Sequence, residues 1–364
     1  MISMDAGDVL PPELTDILAR LRDAAHYMPP AQLNKVLIAE WGPDWRRRFK
    51  HFEARPIAAA SIGQVHRATL PDGTLLAIKV QYPGVAESID ADVDNVASLL
   101  RISNLLPSTL DIAPLLAEAK RQLHEEADYV REAEQMLRYR QLLSGEDAFL
   151  IPAPHPELSG KRILAMDFVP GQSIETLQSE SQAVRDRTMG ALLDLVLREL
   201  FEFGFMQTDP NFANYRWQPE SGRIVLLDFG AARAVPEKTV ASYRRLMLAG
   251  LAQDHDALRD ALIEIGFVSP VTLQRHRPAL DGMIDILMAH LGRPGLFDFA
   301  DRSFVDQVRG HAETIIADKA AWHVPPADTL FVQRKVSGTA LLAIRMQARL
   351  PLLEMVAAKV GAGD

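Results

Sequence analysis

The chain has 364 residues, of which 48% are hydrophobic and 24% charged, a balance that supports a sizeable folded core and excludes disorder over most of its length. A formal charge of −9 removes the domain-wide basic footprint expected of a nucleic-acid binder. With no cysteine, disulfides, thiolate metal sites and cysteine nucleophiles are excluded. The start, Met1 to Leu10, lacks the order of a signal peptide, and no uncharged apolar run of about 18 residues occurs.

From Pro11 to about Leu37, Leu14, Ile17, Leu18 and Leu21 recur at helical spacing, and Pro29-Pro30 is expected to break the run. Arg46, Arg47, Arg48, Lys50 and His51, interleaved with Trp45, Phe49 and Phe52, fit a solvated helix face beside core aromatics. The same combination also suits contact with anionic lipid headgroups. Gln64 to Leu70 and Thr74 to Gln81 read as the strands of a hairpin, turned by Pro71-Asp72-Gly73.

Long amphipathic helices are expected between Val85 and Leu143, followed by two strands around Ser159-Gly160-Lys161 within Ile151 to Pro170. Phe168-Val169-Pro170-Gly171 reads as a hinge, with Met166 and Phe168 as candidate nucleotide contacts at its approach. Beyond it the chain is mostly helical, apart from a β-like hairpin over Tyr215 to Phe229 with its turn at Pro219 to Gly222.

The most specific signal is Thr208-Asp209-Pro210-Asn211-Phe212-Ala213-Asn214 followed by Leu227-Asp228-Phe229-Gly230. Kinase-like phosphoryl transfer uses an Asp that orients the nucleophile, an Asn five residues later that holds a metal, and the Asp of Asp-Phe-Gly for the metal that bridges the phosphates. Asp209, Asn214 and Asp228 meet that order and spacing, and one amide oxygen with one carboxylate suits Mg2+, which retains water and phosphate ligands. Lys79, closing the strand Leu76-Ala77-Ile78-Lys79, stands where such a lysine meets the α and β phosphates of ATP. A helical Glu partner is sought among Glu125 to Glu132. Where a kinase carries a Gly-rich loop, this chain has Ala58-Ala59-Ala60-Ser61-Ile62-Gly63; alanine disfavours positive φ, so a stiffer phosphate cover is expected.

Taken together, Ala-Ala-Ala-Ser-Ile-Gly-Gln-Val-His, Ala-Ile-Lys-Val-Gln-Tyr-Pro-Gly-Val, Glu-x-Asp-Tyr-x-x-Glu-Ala, Thr-Asp-Pro-Asn-x-x-Asn and Leu-Leu-Asp-Phe-Gly resemble the UbiB/ADCK family of atypical kinase-like ATPases over roughly Met1 to Arg233. The resemblance implies an α+β, bilobal protein-kinase-like fold, ATP and Mg2+ as cofactors, ATPase activity, and a supporting role in ubiquinone (coenzyme Q) biosynthesis at a membrane. It implies further that Glu132 pairs with Lys79 and that Glu126 and Asp128 form the Glu-x-Asp motif beside the nucleotide. The family's Lys-x-Gly-Gln motif would lie just ahead of Met1. Charged residues in Leu341 to Asp364 set the chain apart from members with C-terminal membrane spans, so a cytoplasmic protein peripheral to the inner membrane is expected, with quinone-biosynthesis proteins or intermediates and anionic lipid as partners. The expected divisions are a helical N-terminal extension over 1–52, an N-lobe with the Ala-rich loop and inserted helices over 53–169, and a mostly helical C-lobe over 170–364.

An ordinary Ser/Thr protein kinase is disfavoured, because Asp228-Phe229-Gly230 leads through Ala-Ala-Arg-Ala-Val-Pro-Glu straight into helix and leaves no peptide platform. A small-molecule kinase shares Asp209 and Asn214 but not the Ala-rich loop, and a nucleotide-sensing scaffold with little turnover is the remaining alternative. His66, His124 and His255 lack ligand spacing, and Trp41, Trp45, Trp217 and Trp322 read as packing anchors.

Overall fold

The structure is a computed structural model, and it describes residues 27–102 and 111–361. Most of the expected N-terminal helix therefore lies outside the described residues. What is described of it is a non-helical stretch over 27–29 followed by α1 (Pro30–Trp41), which Pro30 opens. A proline's fixed φ and missing N–H cost nothing in a helix's first turn.

A short 3-10 turn over Trp45–Arg48 buries Trp45 and leaves Arg46, Arg47 and Arg48 exposed. Trp45, Phe49, Phe52 and Trp41 pack ring against ring, with centroids 5.1 to 6.4 Å apart, so the aromatics are core and the arginines rim. The N-terminal sheet follows: β1 (His51–Phe52), β2 (Ala58–Ala60), β3 (Gly63–Thr69) and β4 (Leu75–Gln81). Strands β3 and β4 form the expected hairpin, paired from Gly63–Gln81 to Thr69–Leu75, and β1 and β2 both pair with β3.

Three helices come next, α2 (Val85–Ile102), α3 (Ala113–Glu126) and α4 (Tyr129–Leu142). Then β5 (Phe149–Leu150) leaves the first lobe and runs parallel to a strand of the second. Of the two strands expected over Ile151 to Pro170, one forms: β6 (Ile163–Asp167), antiparallel to β4. The other fails because Pro152, Pro154 and Pro156 remove every second N–H, leaving an isolated bridge from Pro154 to Met166.

After the short β7 (Gln172–Ser173) the second lobe begins with α5 (Gln182–Phe201) and alternates short strands with loops. β8 (Phe205–Gln207), β9 (Tyr215–Trp217), β10 (Ile224–Leu226) and β11 (Ala232–Ala234) form two ladders: β9 with β10 as expected, and β8 with β11, which was not anticipated. The rest is mostly helical, α6 (Glu237–Leu251), α7 (His255–Ile265), α8 (Pro270–Leu291), α9 (Val305–Ala317), α10 (Ala327–Arg345) and α11 (Leu352–Val360), with one short antiparallel ladder between Phe297–Asp298 and Arg349–Leu350. No helix among the described residues is long and apolar enough to cross a membrane.

Alternation along β4 divides the core. Leu76, Ile78 and Val80 point toward α1 and the Trp45 cluster, while Ala77 and Lys79 point the other way, toward the second lobe. Met166, opposite Ala77, joins the large core that also holds Phe229, Tyr139 and Leu342. The face carrying Lys79 is thus the face that meets the C-lobe.

Candidate active site

Lys79 is buried, and its ammonium is held from two sides. From α4, Glu132 accepts from Nζ with both oxygens, at 2.9 and 3.0 Å; from the Asp-Phe-Gly segment, Asp228 Oδ2 accepts at 2.9 Å. Burial alone would lower the lysine, but the Asp228 and Glu132 charges outweigh it and hold the ammonium well above its ordinary value. Burial pushes the Glu132 carboxyl up to about 7 against the pull of Lys79, while Asp228, more open, is held below its usual value by Lys79 and the Gly230 N–H despite burial.

The loop between β8 and β9 carries the other polar groups. Asn214 Nδ2 donates to Asp209 Oδ2 at 2.8 Å, and since a carboxylate only accepts, the amide oxygen of Asn214 is turned away from Asp209. Thr208, buried just before Asp209, donates through its hydroxyl to Ala231 O at 2.9 Å, and Leu227 N donates to Asn214 O at 3.0 Å. The β8–β11 ladder and the Thr208 bond fasten the Asp209 loop to the chain that follows Asp228-Phe229-Gly230, and the Leu227 bond fastens it to the residue just before. Phe229 itself is buried, its ring 4.8 Å from that of Tyr139.

The inserted helices close the site from a third side. Glu126, at the end of α3, lies so near Gly230 that a Cβ there would come within 3.6 Å of its Cα. Burial, then the charges of Asp228 and Asp209, push the Glu126 carboxyl up. Asp128 caps α4, accepting from Val130 N and Arg131 N at 3.1 Å; it is exposed. Arg131 donates to Gly230 O and Ala232 O, and the buried Arg233 pairs with Glu118 and Glu125 of α3 at 2.8 and 2.7 Å. These pairs lock α3 and α4 onto the Asp-Phe-Gly segment.

Ala58, Ala59 and Ala60 form a strand, where the sequence suggested a loop; only Ser61 and Ile62 make the turn. Ala58 opposes Val65, which opposes Lys79, so the alanine run is two strands from the lysine, about 10 Å across the sheet. Phe168 follows β6, its N–H donating to Leu75 O at 2.9 Å. Sequence reasoning missed Arg334, on α10, whose guanidinium donates to Asp209 Oδ1 at 2.9 Å. Of the three histidines considered, His66 is buried against Gln64 and the Glu53 carbonyl, while His124 and His255 are surface side chains facing Asp90 and Asp285.

Comparison with known proteins places the chain in a family. The family model "ABC1 atypical kinase-like domain" matches residues 20–262. The chain is 36% identical over 354 residues to "Atypical kinase COQ8, mitochondrial" of Saccharomyces cerevisiae, covering 96% of this chain and 70% of the yeast protein. To "Atypical kinase coq-8, mitochondrial" of Caenorhabditis elegans it is 35% identical over 352 residues, again 96% of this chain but 46% of the relative. Among solved structures, the complex of Rv3197 with erythromycin from Mycobacterium tuberculosis superposes with a TM-score of 0.71 at 22% identity, covering 97% of this chain and 88% of that one, a likeness of fold. The chain belongs to the ABC1 atypical kinase-like family.

Proposed function

We propose that this protein binds Mg-ATP in the cleft around Lys79 and turns it over as an atypical kinase-like ATPase, in support of ubiquinone biosynthesis at a membrane surface. The observation that carries the reading is the convergence of Lys79, Glu132 and Asp228 within 3.0 Å beside the bonded pair Asp209 and Asn214. Lys79 would meet the α and β phosphates, with Glu132 fixing its position, and Asp209 would orient the nucleophile. Ala58, Ala59, Ala60 and Ser61 would cover the phosphates, Met166 and Phe168 would border the base, and Glu126 and Asp128 would line the third side. In this reading residues 1–52 extend the N-lobe of 53–169, and 170–364 is the C-lobe.

The donor set suits Mg2+. Among the described residues no three His, Cys, Asp or Glu side chains converge to hold a metal unaided. Mg2+ does not require that, since one carboxylate and one amide oxygen suffice alongside water and phosphate. Asp228 and the outward amide oxygen of Asn214 would hold it, and when bound it offsets the charge of the phosphate oxygens. The pathway and the membrane come from likeness to the family, with the exposed Arg46, Arg47 and Arg48 as the candidate lipid-facing patch of a cytoplasmic, peripheral protein.

Nucleotide titration and single-turnover hydrolysis test the reading. Asp228→Asn should greatly weaken Mg-dependent ATP binding, because it removes the only carboxylate of the metal pair. Asp209→Asn should retain binding and lose turnover by roughly 10²-fold or more. Wild-type protein that binds ATP yet releases no phosphate in a single turnover would replace the ATPase with a nucleotide-sensing scaffold.

A further inference from the structure

One face of α10 makes contact after contact with the Asp209 loop, although this helix lies beyond the residues that the family model matches. Arg334 donates to Asp209 Oδ1 at 2.9 Å, on the side of the carboxylate opposite the Asn214 bond. Lys335, the next residue, is buried and donates to Gln207 Oε1 at 3.2 Å and to the Tyr215 hydroxyl at 3.0 Å. Gln207 and Tyr215 are the residues that flank the loop of 208–214, so one ammonium ties both of its stems. One turn further, Gly338 lies against Pro210, so close that a Cβ at 338 would overlap the proline ring.

The anchor is itself anchored. Glu199 of α5 lies 3.7 Å from Lys335 Nζ and accepts from the Tyr139 hydroxyl at 2.6 Å and from Gln207 N at 3.3 Å. Burial would lower Lys335, and the Glu199 charge more than reverses it. A cavity of about 10 Å³ is lined by Lys335, Glu199, Gln207, Tyr215, Asn214 and Asp228, so this buried network adjoins the metal-site residues directly.

We propose that α10 is the positioning element of the catalytic loop: Arg334 fixes the Asp209 carboxylate, Lys335 fixes the two stems, and Gly338 admits Pro210. The proposal rests on the reading of Asp209 as the group that orients the nucleophile. A carboxylate held by one bond, from Asn214, can rotate about its own side-chain torsions; a second bond from the other side removes that freedom. Arg334 is half-exposed, so its loss leaves no buried unpaired charge and the fold should survive it.

The experiment compares Arg334→Ala, Arg334→Lys, Asp209→Asn and the double variant Arg334→Ala/Asp209→Asn in ATPase kinetics, Mg-ATP titration and thermal melts. Arg334→Ala is expected to lower kcat about tenfold or more, the scale of a small misplacement of a catalytic group, with Kd for Mg-ATP within about threefold of wild type. Arg334→Lys should recover part of the loss, since a point charge restores one bond without the planar fork. The double variant should be no slower than Asp209→Asn alone, because Arg334 acts through Asp209. Arg334→Ala at wild-type kcat beside a damaged Asp209→Asn overturns the positioning role alone, as does a double variant slower by the product of the two losses. Wild-type kcat in Asp209→Asn overturns the role of Asp209 and this inference with it.

Discussion

Glu132 meets Lys79 with both carboxylate oxygens, and the two side chains, 53 residues apart in sequence, are each almost wholly out of solvent. The same ammonium reaches Asp228, so one lysine joins β4, α4 and the Asp-Phe-Gly segment, and Glu132 also accepts from Phe229 N at 3.4 Å. A charge buried in this way depends on its partners, because the protein interior cannot replace the water it has lost.

Removing Glu132 should therefore be expensive. Glu132→Ala leaves Lys79 with one partner and the Phe229 N–H with none, and a cost of about 3–5 kcal/mol is expected in urea denaturation. Glu132→Gln, which keeps an acceptor oxygen, should cost less. A loss below about 1 kcal/mol for the alanine variant would show that water replaces the carboxylate and that the lysine is not held by this pair.

Glu126 gives a prediction in pH. Its carboxyl is raised above the ordinary 4.5 by burial and then by Asp228 and Asp209, while Gln122 and Arg334 act in the opposite direction. The folded chain thus holds this proton more tightly than the unfolded chain. Stability from this group is present below about 4.5 and is lost as pH rises through the raised folded value. Glu126→Gln removes the titration, so its Tm should exceed that of wild type at pH 8, and the gap should close toward pH 4. A gap that is constant with pH would mean that neither burial nor the two neighbouring aspartates raises the Glu126 carboxyl.

The parts legible in sequence were those whose chemistry is local. Pro71-Asp72-Gly73 announced the β3–β4 hairpin, and the spacing of Asp209, Asn214 and Asp228 drew attention to one loop and one turn that the fold does bring together. What escaped had no local signature. The strands β8 and β11 have three residues each, too short for any periodicity, and exist because their ladder fastens the Asp209 loop. Arg334 and Lys335 read as ordinary surface charges of an amphipathic helix, since their partners lie 120 or more residues earlier. The strand expected between Ile151 and Leu158 does not form because three alternating prolines remove the N–H groups a ladder needs, whatever their apolar neighbours favour.

The basic rim at Arg46, Arg47 and Arg48 separates stability from partner binding. All three side chains are exposed above a packed aromatic floor, and the bond from Arg46 to Asn34 is long at 3.3 Å and exposed. Replacing the three with Gln should leave stability within about 0.5 kcal/mol each. Co-sedimentation with anionic vesicles should fall, since each basic residue near such a surface contributes about 1 kcal/mol. Equal sedimentation of wild type and triple variant would remove the patch from the membrane reading.

The last prediction concerns Gly63, which ends the turn after the alanine run. It pairs with Ala60 on one side and with Gln81 on the other, and a Cβ at this position would overlap the Val80 carbonyl oxygen and come within 3.0 Å of the Gln81 Cα. The obstacle is backbone on both counts, so no side chain can swing aside to make room. Gly63→Ala must instead push β3 from β4 at the end next to Lys79, breaking the register that aligns Ala58, Val65 and Lys79 across three strands. A loss of about 1–3 kcal/mol is expected from the overpacking, together with weaker ATP binding, because the cover and the lysine would no longer keep their spacing. Ala59→Gly, at an exposed site in the same run, should cost about 0.5–1 kcal/mol and leave the strands in place. Chemical denaturation and ATP titration of both variants check the argument: Gly63→Ala with wild-type stability and affinity would mean that the sheet gives at this edge and that the alanine strand does not depend on its contact with β4.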